Sequence, residues 1–509
     1  METPNNTDNL KERTAKGLFW SLFGNGAQQV VVMLIGIMLG RLLSPGDYGL
    51  VGMLTIFSIL ASNLQESGFT AALTVKKVAT DEDFNAVFWC STMMSACLYV
   101  ILFFCAPYIA AYDHSPELTL LGRVIFVGFF FTSLGISHVA WLLRNLKVRE
   151  KTMSQVTASI LSGFVGLGCA LAGCGVWSLV AMDLCYKLTH TVMAWYWTPW
   201  RPTFRINLSP AWRMFGFGSK LLVTNSLNTI NGQLLQSLMG HFYHRDLMGH
   251  YSQANKWNTL GTSLLTGMLN SVARPVLAKV DDDAERQKRV LRKMLRFTAM
   301  LSFPAMMGIG LVGDFIPLLM GDKWLFCVPY LQVLCVGGAF LPVNEIFSNL
   351  MISRQRSDLY MYTTTAFLIV QLAMVLVFTS GLTSGTDFFR FFGAEQGSLM
   401  PLLICVVTLQ PVWFFVLFFV AKRLLDVHLV EVLRDVVPFI LATVFALCTG
   451  YLSAEALVGF TPIEGYWARV ALVVLKVLLT AGVYCAVMWL CRVEVFRECV
   501  DFVVQKVKK

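Results

Sequence analysis

Apolar positions run along this chain in long blocks separated by short polar stretches. Mostly hydrophobic windows fall at about 17–40, 48–72, 84–111, 117–143, 154–172, 176–198, 214–240, 248–273, 295–320, 325–352, 359–381, 397–421, 432–452 and 466–491. Each is close to the roughly 20 residues that a helix needs to cross the hydrocarbon core of a bilayer. A helix satisfies its backbone hydrogen bonds internally, and single segments this apolar are far stronger signals than the alternating strands of a barrel. The pattern predicts an all-α polytopic membrane protein with about 14 transmembrane helices, joined mostly by short loops. The second and eighth windows are the most polar. Pro304, Pro342 and Pro411 lie inside windows, where kinks or breaks are expected.

Composition agrees with this pattern. Of 509 residues, 56% are hydrophobic and only 14% charged, with a mean hydropathy of +0.63; soluble domains carry roughly 25% charged residues. A soluble enzyme, a secreted disulfide scaffold and a disordered chain are all excluded. The formal net charge of +9 does not point to nucleic acid, because Lys and Arg concentrate in cytoplasmic loops of membrane proteins. With the N-terminus placed inside, 30 of the 40 Lys and Arg fall in inner loops and tails, five in outer loops and five inside spans. That bias predicts cytoplasmic termini at both ends and supports the helix count. Residues 1–16 are polar and hold no apolar core, so no cleavable signal is expected before the first span. The thirteen Cys are scattered without a C-x-x-C pair, which reads as reduced core residues. The charged run DDDAERQKRVLRK, in the longest inner connection at about 274–294, reads as an amphipathic solvated segment linking two halves.

Two stretches echo each other. GRLLSPGDYGLVGM starts at Gly40 and GHFYHRDLMGHYSQA at Gly240, so that Gly40 aligns with Gly240 and Gly49 with Gly249. Span 1 thereby becomes the counterpart of span 7, and span 2 of span 8. Six-helix halves with two additional C-terminal helices account for fourteen. Residues 1–198 are expected to form the first bundle, 199–421 the second, and 422–509 the two extra helices and tail. Repeated halves around a central site are a common transporter plan.

The run GLFWSLFGNGAQQVVVMLIGIMLGRLLSPGDYGLVGMLTIFSILASNLQESGFTAAL resembles the opening of Wzx-type polysaccharide flippases. The run FGFGSKLLVTNSLNTINGQLLQSLMGHFYHRDLMGHYSQANKWNTL resembles their seventh and eighth helices. These proteins belong to the multidrug/oligosaccharidyl-lipid/polysaccharide exporter superfamily. The resemblance implies two six-helix bundles around a central cavity and alternating access. It implies a cargo of undecaprenyl-diphosphate-linked oligosaccharide, moved from the cytoplasmic to the periplasmic leaflet of the bacterial inner membrane. Membrane lipid, a polysaccharide polymerase and other assembly proteins would be its partners; nucleic acid, cofactor and metal play no part.

Such a cargo makes separable demands. A diphosphate needs cations or N–H donors in a shielded place, and sugars need groups that both donate and accept. At 100° per residue, Ser252, Lys256, Ser263, Asn270 and Arg274 of the eighth span fall within about a 40° arc. A lysine facing lipid near the bilayer centre costs at least ~2.5 kcal/mol, so this stripe should line a cavity or protein. Snorkelling to the outer interface is the competing reading for Lys256, and a plain positive-inside anchor that for Arg274. In the seventh span Lys220, Thr224, Asn228 and Asn231 lie within about an 80° arc, with Lys220 near the cytoplasmic end. The first span offers Asn25 and Gln29 for sugar, unless they serve interhelical hydrogen bonds. Glu66 in the second span and Glu345 in the tenth are candidate ion-coupling acids. Arg123 is a further candidate for the substrate, while Asp183 and Lys187, four residues apart, suit a local ion pair.

No Walker A sequence and no HExxH context appear, so an enzyme is not expected. A drug or cation antiporter of the same superfamily would put acids, not lysines, in its cavity. A membrane polysaccharide polymerase or ligase would need a sizeable external loop, and every predicted outer loop is short.

Overall fold

The computed structural model describes residues 26–498, apart from single positions, parts of 67–78, most of 213–242, and the segments 279–282, 380–398 and 461–465. All regular structure among the described residues is helical. Ten described stretches are long and apolar enough to cross a membrane, and they coincide with ten of the fourteen windows. The first window is described from Gly26, the sixth and eighth are helices of more polar character, and most of the seventh lies outside the described residues. The chain is a multi-pass, all-helical membrane protein.

It divides into two compact units, Met1–Gly249 and His250–Lys509. The first holds α1 (Gly26–Leu42), α2 (Pro45–Glu66), α3 (Asp81–Tyr112), α4 (Glu117–Ile125), α5 (Gly128–Arg144), α6 (Val148–Leu171) and α7 (Trp177–Trp197). Local chemistry explains where these begin. Ser44 and Asp47 form a reciprocal cap ahead of α2: Asp47 Oδ2 accepts from the Ser44 amide at 2.9 Å, and Ser44 Oγ accepts from the Asp47 amide at 3.3 Å. Thr80 and Asp83 do the same for α3, whose first turn is acidic, as the helix dipole favours. The fourth window is one span but two helices: at Phe126–Val127 the amides of Phe129 and Phe130 turn to carbonyls three residues back, a tighter local winding. The turn between α6 and α7 uses Gly173 and Gly175 at φ +79° and +55°, a region that other residues enter at a cost.

Close packing in this unit relies on missing side chains. A Cβ on Gly163 of α6 would sit 2.0 Å from Ile35 Cδ1 of α1, and one on Gly135 of α5 would sit 2.8 Å from Thr191 Oγ1 of α7. Phe69, Phe84, Val87, Phe88, Ile136 and Trp200 form the core toward one end.

The second unit holds most of α8 (Arg245–Ala278), then α9 (Ala284–Leu311), α10 (Phe315–Met320), α11 (Cys327–Ser353), α12 (Ser357–Thr379), α13 (Met400–Leu425), α14 (Leu429–Phe460) and α15 (Tyr466–Leu490). Burial orders these helices. Some 67% of the apolar window of α11 is buried in protein, against 11% for α12 and 17% for α15; α11 is the central post and the other two present apolar surface outward. Glycines again set the spacing: a Cβ on Gly337 would meet Val407 Cγ1 of α13 at 3.1 Å. Pro304, Pro342 and Pro411 are accommodated without a break, the helix continuing through each. The run DDDAERQKRVLRK is amphipathic and largely exposed in its described part; from Ala284 onward it is the start of α9 and lies within the second unit.

Candidate functional site

The residues of the α8 stripe lie in different surroundings. Lys256 is half-buried and has no hydrogen-bond or ion-pair partner among the described residues. Ser252 is half-buried as well, and Ser263 is exposed with its hydroxyl returned to the Leu260 carbonyl at 3.1 Å. Lower on the helix, Asn270 Oδ1 accepts from Asn349 Nδ2 of α11 at 2.7 Å. Asn258 and Thr262, which lie on the side of α8 away from Lys256, meet Gly338 of α11: a Cβ there would stand 2.4 Å from Asn258 Oδ1 and 3.1 Å from Thr262 Cγ2. The second unit therefore packs α11 against the side of α8 opposite Lys256 at this level. Arg274 lies on the last turns of α8, with its side chain outside the described residues.

Other sequence candidates separate. Asn25, Lys220, Asn228 and Asn231 lie outside the described residues, as does the side chain of Glu66 at the end of α2. Gln29 is half-buried on α1, next to Gln28, whose amide donates to Tyr186 of α7 at 3.3 Å. Arg123 on α4 is half-buried with its guanidinium 4.2 Å from the centre of the Phe103 ring; this cation–π contact places it among the helices of the first unit. Glu345 is half-buried on α11 beside Asn344, whose Nδ2 donates to Gln410 Oε1 of α13 at 3.3 Å. Asp183 and Lys187 form the expected local pair at 2.6 Å.

The repeated glycines meet within the first unit. A Cβ on Gly49 would fall 2.1 Å from the carbonyl oxygen of Arg245, and one on Gly249 would fall 1.8 Å from that of Pro45. The two contacts exchange under the 200-residue offset of the repeat, so the sequence echo reappears as a reciprocal backbone contact.

Comparison with known proteins decides the family, because residues 38–329, more than half of the chain, match the one described as polysaccharide biosynthesis protein. The chain belongs to this family. The chain is similar over nearly its whole length to a protein of Klebsiella pneumoniae named "Uncharacterized membrane protein in cps region", with 23% identity over 487 residues, 93% of this chain and 94% of that protein. It is also similar to the lipopolysaccharide biosynthesis protein WzxC of Escherichia coli (strain K12), 23% identical over 361 residues, 69% of this chain and 72% of that one. Its fold is similar to that of the lipid II flippase MurJ in an inward closed conformation, with a TM-score of 0.71 and 14% identity, over 92% of this chain and 99% of that one. The resemblance to Wzx-type flippases thus holds over about two thirds of the chain.

The second unit also carries a charged cluster that sequence reasoning missed. Asp435 of α14, 1% exposed, accepts from Arg292 Nε at 2.7 Å and Arg296 Nε at 2.5 Å, both on α9. Glu431, one turn earlier, takes Lys288 at 3.3 Å and Arg292 at 3.4 Å. At the other end of this unit Lys476 of α15 reaches Asp314 at 3.1 Å. The only signal available in the sequence was the acidic turn at the start of the thirteenth window opposite an excess of cations; nothing in it indicated which cations.

Proposed function

We propose that this protein moves an undecaprenyl-diphosphate-linked oligosaccharide from the cytoplasmic to the periplasmic leaflet of the bacterial inner membrane, by alternating access of two related six-helix bundles, during surface polysaccharide biosynthesis. Both termini are cytoplasmic in this reading. Membership of the polysaccharide biosynthesis family supports it, and so do the names of WzxC and of the flippase MurJ. The observation that supports it is Lys256: a half-buried cation within a long helix, with no carboxylate beside it among the described residues, on the side of α8 opposite α11. A phosphate supplies the missing anion. Charge-assisted hydrogen bonds of this kind are worth about 1.5–3 kcal/mol. Ser252, Arg274, Lys220 and Arg123 complete the anion path, Asn25, Gln29, Asn228 and Asn231 meet sugar hydroxyls, and Glu66 and Glu345 couple transport to an ion gradient.

The test is genetic. Deleting the gene should trap a lipid-linked oligosaccharide on the cytoplasmic leaflet. Complementation with Lys256→Ala should lower surface glycan export by about tenfold at unchanged protein level, while Lys256→Arg keeps most of it. Full export by a Lys256→Ala, Lys220→Ala double variant would refute the cationic path.

A further inference from the structure

A cavity with both polar and apolar walls lies wholly within the first unit. Its volume is about 880 Å³, and its walls include Asp81, Glu82 and Asn85 at the start of α3, Trp141 near the end of α5, and Trp200, Arg201 and Arg205 of the irregular segment after α7. Pockets that take small ligands span roughly 300–1,000 Å³, so a di- or trisaccharide fits.

The wall is built in advance of any ligand. Asn85, nearly buried, spends both ends of its amide on the segment after α7: Nδ2 donates to the Arg205 carbonyl at 2.7 Å, and Oδ1 accepts from the Thr203 amide at 2.9 Å. Trp89 Nε1 donates to the Thr203 carbonyl at 2.8 Å. Trp200 is sunk among Phe84, Phe88 and His138, with ring centres 5.9, 6.3 and 5.2 Å away. Lys147 sits 5.1 Å from the centre of the Trp141 ring. An irregular segment is thus pinned in one shape against two helices, α3 and α5.

Its charges are left over. Asp81, Glu82, Arg201 and Arg205 are all exposed, and none has an ion-pair partner among the described residues, although both signs line one cavity. Arg201 donates to backbone carbonyls, that of Trp200 at 2.8 Å among them. Two carboxylates disfavour a simple anion, two guanidiniums disfavour a simple cation, and the polar rim disfavours a hydrocarbon. A sugar satisfies all of them: its hydroxyls donate to carboxylates and accept from guanidiniums and amides, and its C–H face packs on Trp141 and Pro199.

We propose that this cavity is a carbohydrate-binding site that holds the glycan of a lipid-linked oligosaccharide at the cytoplasmic face, separate from the cationic path for the diphosphate. The proposal rests on the transport reading above, which orients the segment after the sixth span toward the cytoplasm. It supplies a place where sugar identity is read before the headgroup enters the membrane.

The test uses the full-length protein in nanodiscs. The probe is the oligosaccharide cleaved by mild acid from the lipid-linked intermediate of the deletion strain, and therefore free of lipid and diphosphate. Saturable binding is expected, with amide hydrogen exchange slowed across residues 199–207. Trp141→Ala, and Asp81→Asn with Glu82→Gln, should weaken binding by about tenfold, whereas Trp141→Phe stays within about threefold. Absence of saturable binding, unchanged affinity in the pocket variants, unslowed exchange at 199–207, or tighter binding of UDP-glucose than of the oligosaccharide would each overturn the proposal. Export rescued by the wild-type chain in the deletion strain upholds the transport reading whatever the cavity binds, so the two fail separately.

Discussion

Asp435 tests how charge is handled inside the second unit. Its carboxylate is 1% exposed and accepts three hydrogen bonds, from Arg292 Nε at 2.7 Å, from the second Arg292 nitrogen at 3.2 Å and from Arg296 Nε at 2.5 Å. Asp435→Asn keeps the shape, removes the charge and turns an amide N–H₂ toward one guanidinium. Removing one partner from a fully buried ion pair costs about 3–5 kcal/mol. Here the guanidiniums are 24% and 35% exposed, and Arg292 retains Glu431 at 3.4 Å, so part of that penalty is relieved by water. The expected loss is about 2–3 kcal/mol, which is roughly thirty- to hundred-and-fifty-fold in the folding equilibrium. The control is Asp358→Asn: Arg356 and Asp358 are bonded at 3.1 Å, but both are about half exposed, and such pairs are worth ~0–1 kcal/mol. Reversible denaturant unfolding of the purified protein, followed by Trp fluorescence, measures both. Equal losses in the two variants, or a loss below about 0.5 kcal/mol at Asp435, would refute the view that burial, not pairing alone, sets the value of this cluster.

Two further outcomes follow from packing. Gly249→Leu places a Cβ 1.8 Å from the Pro45 carbonyl oxygen, a backbone atom that cannot rotate away; folded yield by size-exclusion chromatography should collapse, whereas Gly26→Ala, with nothing within 4 Å, should leave it unchanged. Asn85→Ala removes both hydrogen bonds that hold residues 203–205, at about 1–3 kcal/mol for the backbone groups left unpaired; hydrogen exchange there should rise by at least about tenfold with little change in α11, and unaltered exchange would mean that the segment is held by other contacts.

What could be read in the sequence was whatever depends on neighbours along the chain. Crossing a bilayer requires one continuous apolar helix, so spans show as windows, and ten of them reappear as helices long and apolar enough to cross. Caps act within four residues, so S-P-G-D announces the start of α2; the Asp183–Lys187 pair is one helical turn. The face of α8 that bears Lys256 is likewise local periodicity, and the repeat was visible because both copies keep glycine where a Cβ would strike backbone.

Partners distant in sequence were decided by the tertiary structure. Asp435 takes arginines 139 and 143 positions away, and Asn85 grips a segment about 120 residues on. Hydropathy ranks α12 above α11, the order opposite to their burial, yet α11 is the buried post, because lipid and protein interior are equally apolar surroundings and only helix packing chooses between them. The charged run at 281–293 is amphipathic and largely exposed in its described part, but that Lys288 and Arg292 find their acids on a helix some 140 residues later was decided by tertiary packing.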